Sequence, residues 1–274
     1  NPQAVVVYAR AWRIVEALLR ILVGGGLLYI LLTVLVADDP PVTPPLLYRM
    51  FALFVVLPLS AASIIRRACS ATMTIDRQHI VLRGKAVAID VPRDGVAAAR
   101  AWSLPLPGPG VSLRMRSGNR FDYGIQVDDP TRLMKSLDSR EVSQQPTVAY
   151  ACARARRRPR RWHHFVGRYV LFALPPAAML FYTHQYIAYG GPLGEYYQLG
   201  LPAYLTTLTI YWSTLILYLI LYATAWRAAV ESVCLATAWL ATPHVDRVRR
   251  STELLAQIGY YGGVPLFLGL RYLP

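Results

Sequence analysis

Residues 14–36 read IVEALLRILVGGGLLYILLTVLV, uncharged from Ile21 to Val36 and charged before that only at Glu16 and Arg20. A helix crossing a hydrocarbon core needs about 20 apolar residues at 1.5 Å each. Arg20 can carry its guanidinium to the headgroups on its aliphatic stem. Ile14–Val36 is therefore a first membrane span. It is long, and no small-x-small cleavage site follows it, so it reads as a retained helix and not as a removed leader. Gly24, Gly25 and Gly26 inside it favour close approach by a neighbouring helix.

Outward from that span, Asp38–Pro45 (DDPPVTPP) forbids helix, because proline removes donors and fixes φ. This is a short external loop. Leu46–Ile65 is a second span, kinked at Pro58 and closed by Arg66 and Arg67. Phe165–Ile187, carrying Pro175 and Pro176, is a third, and Leu201–Trp226 is a fourth. Ala228–Ala241 is apolar except for Glu231 and continues the fourth helix, with Arg227 and Glu231 spaced i, i+4. Leu254–Leu273 is apolar but punctuated by glycines and Pro265. It fits a fifth span, a re-entrant segment or a docked interfacial helix.

Composition agrees. Of 274 residues 55% are hydrophobic and 16% charged, against about 25% charged in an ordinary soluble domain. Mean hydropathy is +0.33. Net charge is +14, and with Lys85 and Lys135 the only lysines, 27 of 29 cations are arginine. Cys69, Cys152 and Cys234 form no CxxC spacing and hence no metal or disulfide framework.

Between the second and third spans the periodicity changes. Thr72–Asp76, Val87–Val91, Val111–Arg116 and Arg120–Val127 alternate, and Ser117-Gly118-Asn119 is a turn. Period-two runs broken by Gly, Asn and Asp are the signature of strands and hairpins, and about six short strands are expected. Asp128-Asp129-Pro130 then supplies an N-cap and a proline at the first helical position, opening a helix from Thr131 to about Arg140. These residues (Met73–Asp76 with Ile80–Leu82, Ile89–Val96, Val111–Leu113, then the helix from Asp129) resemble the bacterial pleckstrin-homology-like (PH-like) domains of small membrane proteins. The resemblance covers residues 71–141. The stiff Pro105–Gly110 loop (PLPGPG) departs from a plain hairpin turn. Such families act mostly as binding or assembly modules, which is what the resemblance implies here.

The expected architecture is a membrane α-helical protein of about four spans with an inserted cytoplasmic β-rich domain. Residues 1–70 form the first hairpin, 71–141 the β-domain and 142–164 a basic linker. Residues 165–227 form the second hairpin, and 228–274 a helical, interfacial or re-entrant segment. Cytoplasmic flanks hold the excess of Lys and Arg. This topology puts 27 of the 29 cations on one side, with Arg49 opposite and Arg271 unassigned. The N-terminus and β-domain are then cytoplasmic, in a bacterial inner membrane. Residues 70–142 are expected to fold nearly alone, although so small a domain has a marginal core.

Candidate contacts with anionic headgroups or partner proteins are Arg66, Arg67, Arg154, Arg156, Arg157, Arg158, Arg160, Arg161 and Trp162. Each cation near a membrane surface contributes about 1 kcal/mol; the same block also serves simply to set orientation. His163 and His164 lack the i, i+4 spacing of a ligand pair. Tyr182, Tyr186, Tyr189, Tyr196, Tyr197 and Tyr204 read as an interfacial belt. The ionisable residues assigned to the spans, Glu16, Arg20 and Arg49, lie at edges, which argues against a proton-coupled transporter or an intramembrane hydrolase. No zinc spacing or RNA-binding signature points to nucleic acid. The expectation is a non-catalytic accessory or assembly subunit of a larger membrane complex, with no cofactor, partnered by other membrane proteins and anionic phospholipid. A lipid-handling or transport component is the alternative, and a membrane enzyme the third reading.

Overall fold

A computed structural model describes residues 3–36, 42–76, 78–84, 88–118, 120–127, 129–136, 146–156 and 162–272. The chain forms two units. One comprises Asn1–Gly26, Ala52–Arg158 and Val230–Glu253, the other Leu27–Phe51, Pro159–Ala229 and Leu254–Pro274.

The first unit is built on a seven-stranded antiparallel sheet: β1 Gln3–Ala9, β2 Ser70–Ile75, β3 His79–Gly84, β4 Ala88–Pro92, β5 Val96–Ala101, β6 Gly110–Met115 and β7 Arg120–Gln126. Its order is β4-β3-β2-β1-β7-β6-β5. Strands β2, β4, β6 and β7 fall where the alternation predicts them. Strand β1 does not, yet it sits at the centre, with Val6 opposite both Ser70 of β2 and Gln126 of β7.

The two outermost strands, β4 and β5, are joined by the single turn Arg93–Gly95. In a flat sheet they would stand roughly 29 Å apart at about 4.8 Å per strand step, and three linking residues reach only about 14 Å. The sheet therefore curls. Its inner face makes one core that draws on every strand, including Val5 and Val7 of β1, Met73, Leu82, Val91, Ala99, Leu113 and Ile125.

Two short helices complete this core. Pro130–Ser136 (α4) starts as expected, its Thr131 N–H donating to Asp129 Oδ1 at 3.0 Å, and adds Leu133 and Met134. The expected continuation to Arg140 lies outside the described residues. Pro146–Ala155 (α5) forms where a linker was expected, because Val148, Tyr150, Ala151 and Ala153 bury one face of it.

Three helices are long and apolar enough to cross a membrane: Arg10–Leu35, Pro44–Ala68 and Leu201–Leu240. In each, 22% or less of the most apolar stretch is buried within the protein, so its apolar surface calls for lipid. The first belongs to α1 (Arg10–Val36), which follows β1 without a break. The second consists of α2 (Pro44–Phe51), a π-turn at Ala52–Val56 and α3 (Leu57–Ala68). Pro58 cannot donate to the carbonyl of Phe54, and the π-turn sits at that point. Of the three glycines in α1, Gly26 makes the close approach: a Cβ there would lie 2.7 Å from Phe54 Cβ, whereas Gly24 and Gly25 face open space.

The third apolar run is interrupted. It forms α6 (Trp162–Phe165), a π-turn at Val166–Leu171 and α7 (Leu174–Tyr189). The cause is again proline, since Pro175 and Pro176 leave the carbonyls of Leu171 and Phe172 without their helical donors. Short α8 (Gly194–Leu199) lies between Gly190 and Gly200, which have φ of +76° and +86°. Then α9 (Leu201–Leu240) runs for about 60 Å. The expected continuation of the fourth helix is thus found. The C-terminal run is one continuous helix, α10 (Val245–Tyr272), and in the second unit it docks on α9 through glycines. A Cβ at Gly259 would meet Trp226 at 2.5 Å, one at Gly263 would meet Tyr222 Oη at 2.7 Å, and Tyr222 donates to the Gly259 carbonyl at 2.9 Å.

Candidate functional site

Among the described residues, the sequence-predicted basic residues do not form one cluster. Arg66 and Arg67 are exposed at the end of α3. Arg154 is half-buried, and Arg156 is exposed and ion-paired with Asp246. Arg157, Arg158, Arg160 and Arg161 lie outside the described residues; Trp162 begins α6. The polar side chains that the fold does bring together are others, and most of them come from α1, the sheet, α5 and α10.

The first cluster lies where α1 and α3 meet the sheet's outer face. Val6, Tyr8 and Trp102 are buried there with Ile65 and Cys69 against them. Strand parity explains the surface: Gly110 and Gly124 carry no side chain on this face, so the Trp102 indole lies flat across them, 2.7 Å from where a Cβ would stand on either. Its Nε1–H donates to Ser112 Oγ at 3.0 Å. The Arg13 guanidinium covers the indole at 3.6 Å, and Arg13 Nε donates to the Leu106 carbonyl at 3.4 Å. Beside them Tyr8 donates to Gln126 Oε1 at 3.1 Å. Glu16, fully buried, accepts from Arg20 Nε and Nη2 at 3.0 and 2.8 Å through Oε1, and its Oε2 has no hydrogen-bond partner. Burial, reinforced by the Glu16 carboxylate, pushes the Tyr8 phenol upward. Arg20, which the sequence carried to the headgroups, thus pairs with a buried Glu16 while staying 31% exposed itself.

The second cluster ties α5 to α10. Glu231 accepts from Tyr150 Oη at 2.7 Å and from Arg249 Nη2 at 2.6 Å. Arg249 is 4% exposed and approaches the Tyr150 ring at 5.5 Å. Burial, then the Glu231 carboxylate, raises the Tyr150 pKa.

In the second unit, Glu195 is buried instead of lying on a loop surface. It accepts from Gln185 Nε2 and Thr207 Oγ1, each at 2.6 Å. Arg168 must be added to the ionisable residues of the apolar runs. It lies one turn inside the third, its guanidinium 4.1 Å over the Tyr260 ring, while Tyr260 donates to its carbonyl at 3.0 Å.

In each cluster the carboxylate is held by an arginine, a tyrosine or an amide, an arrangement that fixes helices in place. Among the described residues no three His, Cys, Asp or Glu side chains are placed to hold a metal ion. The sequence marks Glu16, Arg20 and Glu231, but not Tyr150 and Arg249, the partners of Glu231, which are distant in the chain. Only the position of charges inside apolar runs signalled them. Compared with protein families, with curated proteins and with solved structures, the chain matches none.

Proposed function

We propose that the chain is a non-catalytic accessory or assembly subunit of a larger inner-membrane complex, with a cytoplasmic PH-like sheet domain as its docking surface. The observation that carries this reading is β4. Among the described residues it is the terminal strand at its end of the sheet, paired with β3 and exposed at Ala88, Asp90 and Pro92. A terminal strand presents backbone donors and acceptors to which another chain can add. The curled sheet followed by α4 supports the PH-like reading. The third apolar run supplies a fourth crossing, its outward face lined by Leu171, Met179, Tyr182 and Ile187. Arg66 and Arg67 meet anionic headgroups where α3 leaves the membrane.

Full-length protein carrying a photo-crosslinking residue at Asp90 is purified from membranes in mild detergent. Ser117, in the β6–β7 turn, serves as the comparison position. The expected product is a discrete adduct to one membrane protein from position 90 and none from 117. A protein that purifies only as a monomer or homo-oligomer, and supports transport in liposomes without a partner, overturns the reading.

A further inference from the structure

We infer that the loop Ser103–Pro109 is a membrane-contacting element whose tip, Leu104, rests in the headgroup and upper acyl region of the bilayer beside α1. The inference rests on α1 crossing the membrane. The loop is firmly held at its base. Trp102 N–H donates to the Gly110 carbonyl at 3.0 Å, Val127 N–H donates to the Pro109 carbonyl at 3.2 Å, and Gly108 packs on Gln126. Pro107 and Gly108 are buried, yet Leu104 is 62% exposed. Alone, one outward leucine would be ordinary; beside further exposed apolar residues it forms part of a band.

Its neighbours make up that band. The Arg13 bond to the Leu106 carbonyl sets the loop beside the first turns of α1, where the apolar run begins. There Trp12, Ile14, Val15 and Leu18 are all exposed. The second helix reaches the same level independently, because Ile65 packs in the cluster that holds Trp102. Its neighbour Ile64 is 68% exposed, and exposed Arg66 and Arg67 follow. Exposed apolar residues from three separate segments thus share one level. Of the charges there, Arg13 lies against Trp102 and Arg20 is paired with buried Glu16, while Arg66 and Arg67 border the band at the end of the second helix. A tryptophan and arginines bordering an apolar band are what a bilayer interface selects. The PLPGPG sequence suits this place, since its prolines lack the N–H groups that would otherwise have to be satisfied near lipid.

The test uses full-length protein in phospholipid vesicles, with Cys69, Cys152 and Cys234 replaced by alanine and a nitroxide at Leu104→Cys, Leu28→Cys or Ser117→Cys. Collision with oxygen relative to a water-soluble nickel chelate should be several-fold higher at 104 than at 117, and highest at 28. An aqueous signal at 104 with a lipid signal at 28 overturns the inference. An aqueous signal at 28 shows instead that the span itself is misread. In the chain with native cysteines, a photo-crosslinker at 104 should give a phospholipid adduct. A protein adduct there also overturns the proposal.

Discussion

Tyr8 shows how much rests on single side chains at the junction of sheet and helices. It is fully buried, donates to Gln126 Oε1, and lies beside a carboxylate that has one unbonded oxygen. Tyr8→Phe leaves a buried amide oxygen unpaired and should lower stability by about 1–3 kcal/mol, read as a lower unfolding midpoint in detergent. The pH dependence has a definite sign. Burial holds the phenols of Tyr8 and Tyr150 above their ordinary value, so at alkaline pH the unfolded chain loses these protons first. Their contribution is complete below about pH 10 and falls above it. The midpoint should drop more steeply above that pH in the wild type than in Tyr8→Phe. Little of this was legible residue by residue. Glu16 stood out as a charge in an apolar run, but the sheet face beside it also draws on Trp102 and Gln126, far along the chain.

At the scale of elements, legibility followed how many faces each element buries. Strands with one wet face tend to alternate, and β2, β4, β6 and β7 are legible by that signal. In β1, Val5, Val6, Val7 and Tyr8 are all buried, so Gln3–Ala9 shows no alternation and merges with the apolar run that follows. The run of three valines was the available signal, since β-branched residues favour strands. A consequence follows for the isolated domain. Residues 70–142 lack the strand that joins β2 to β7, and that fragment should give a weak sheet signal by circular dichroism and poor dispersion by NMR. Joining residues 1–9 ahead of residue 70 through a short Gly-Ser linker should restore both, because Val7 N–H already donates to the Cys69 carbonyl at 2.9 Å. Equal folding with and without residues 1–9 would contradict the register. The prolines behaved differently from strand β1: each was visible in the sequence, but the π-turns preceding them were not, since a kink can be relieved in several ways.

For the whole molecule, hydropathy disclosed the three membrane-length helices and the sheet domain between apolar runs, while the docking of α10 on α9 depends on tertiary packing. Topology remains the sharpest test at this scale. With a membrane-impermeant thiol reagent, Asp38→Cys and Tyr197→Cys should label from outside in intact cells, and Arg100→Cys only after lysis. Gln3→Cys must follow Arg100→Cys whichever way the protein faces, because both belong to one sheet. External labelling at Arg100 would reverse the orientation, and opposite behaviour of Gln3 and Arg100 would break the sheet. The place of β1 also orders events during synthesis. It leaves the ribosome first but cannot be completed until β7 has been made, and the intervening hairpin enters the membrane meanwhile. Once inserted, that hairpin holds the end of β1 near the start of β2, so the bilayer removes most of the closure entropy that a free chain would face. Membrane insertion thereby becomes a step in folding the sheet, and a chain that fails to insert should leave its sheet unmade and be exposed to proteolysis.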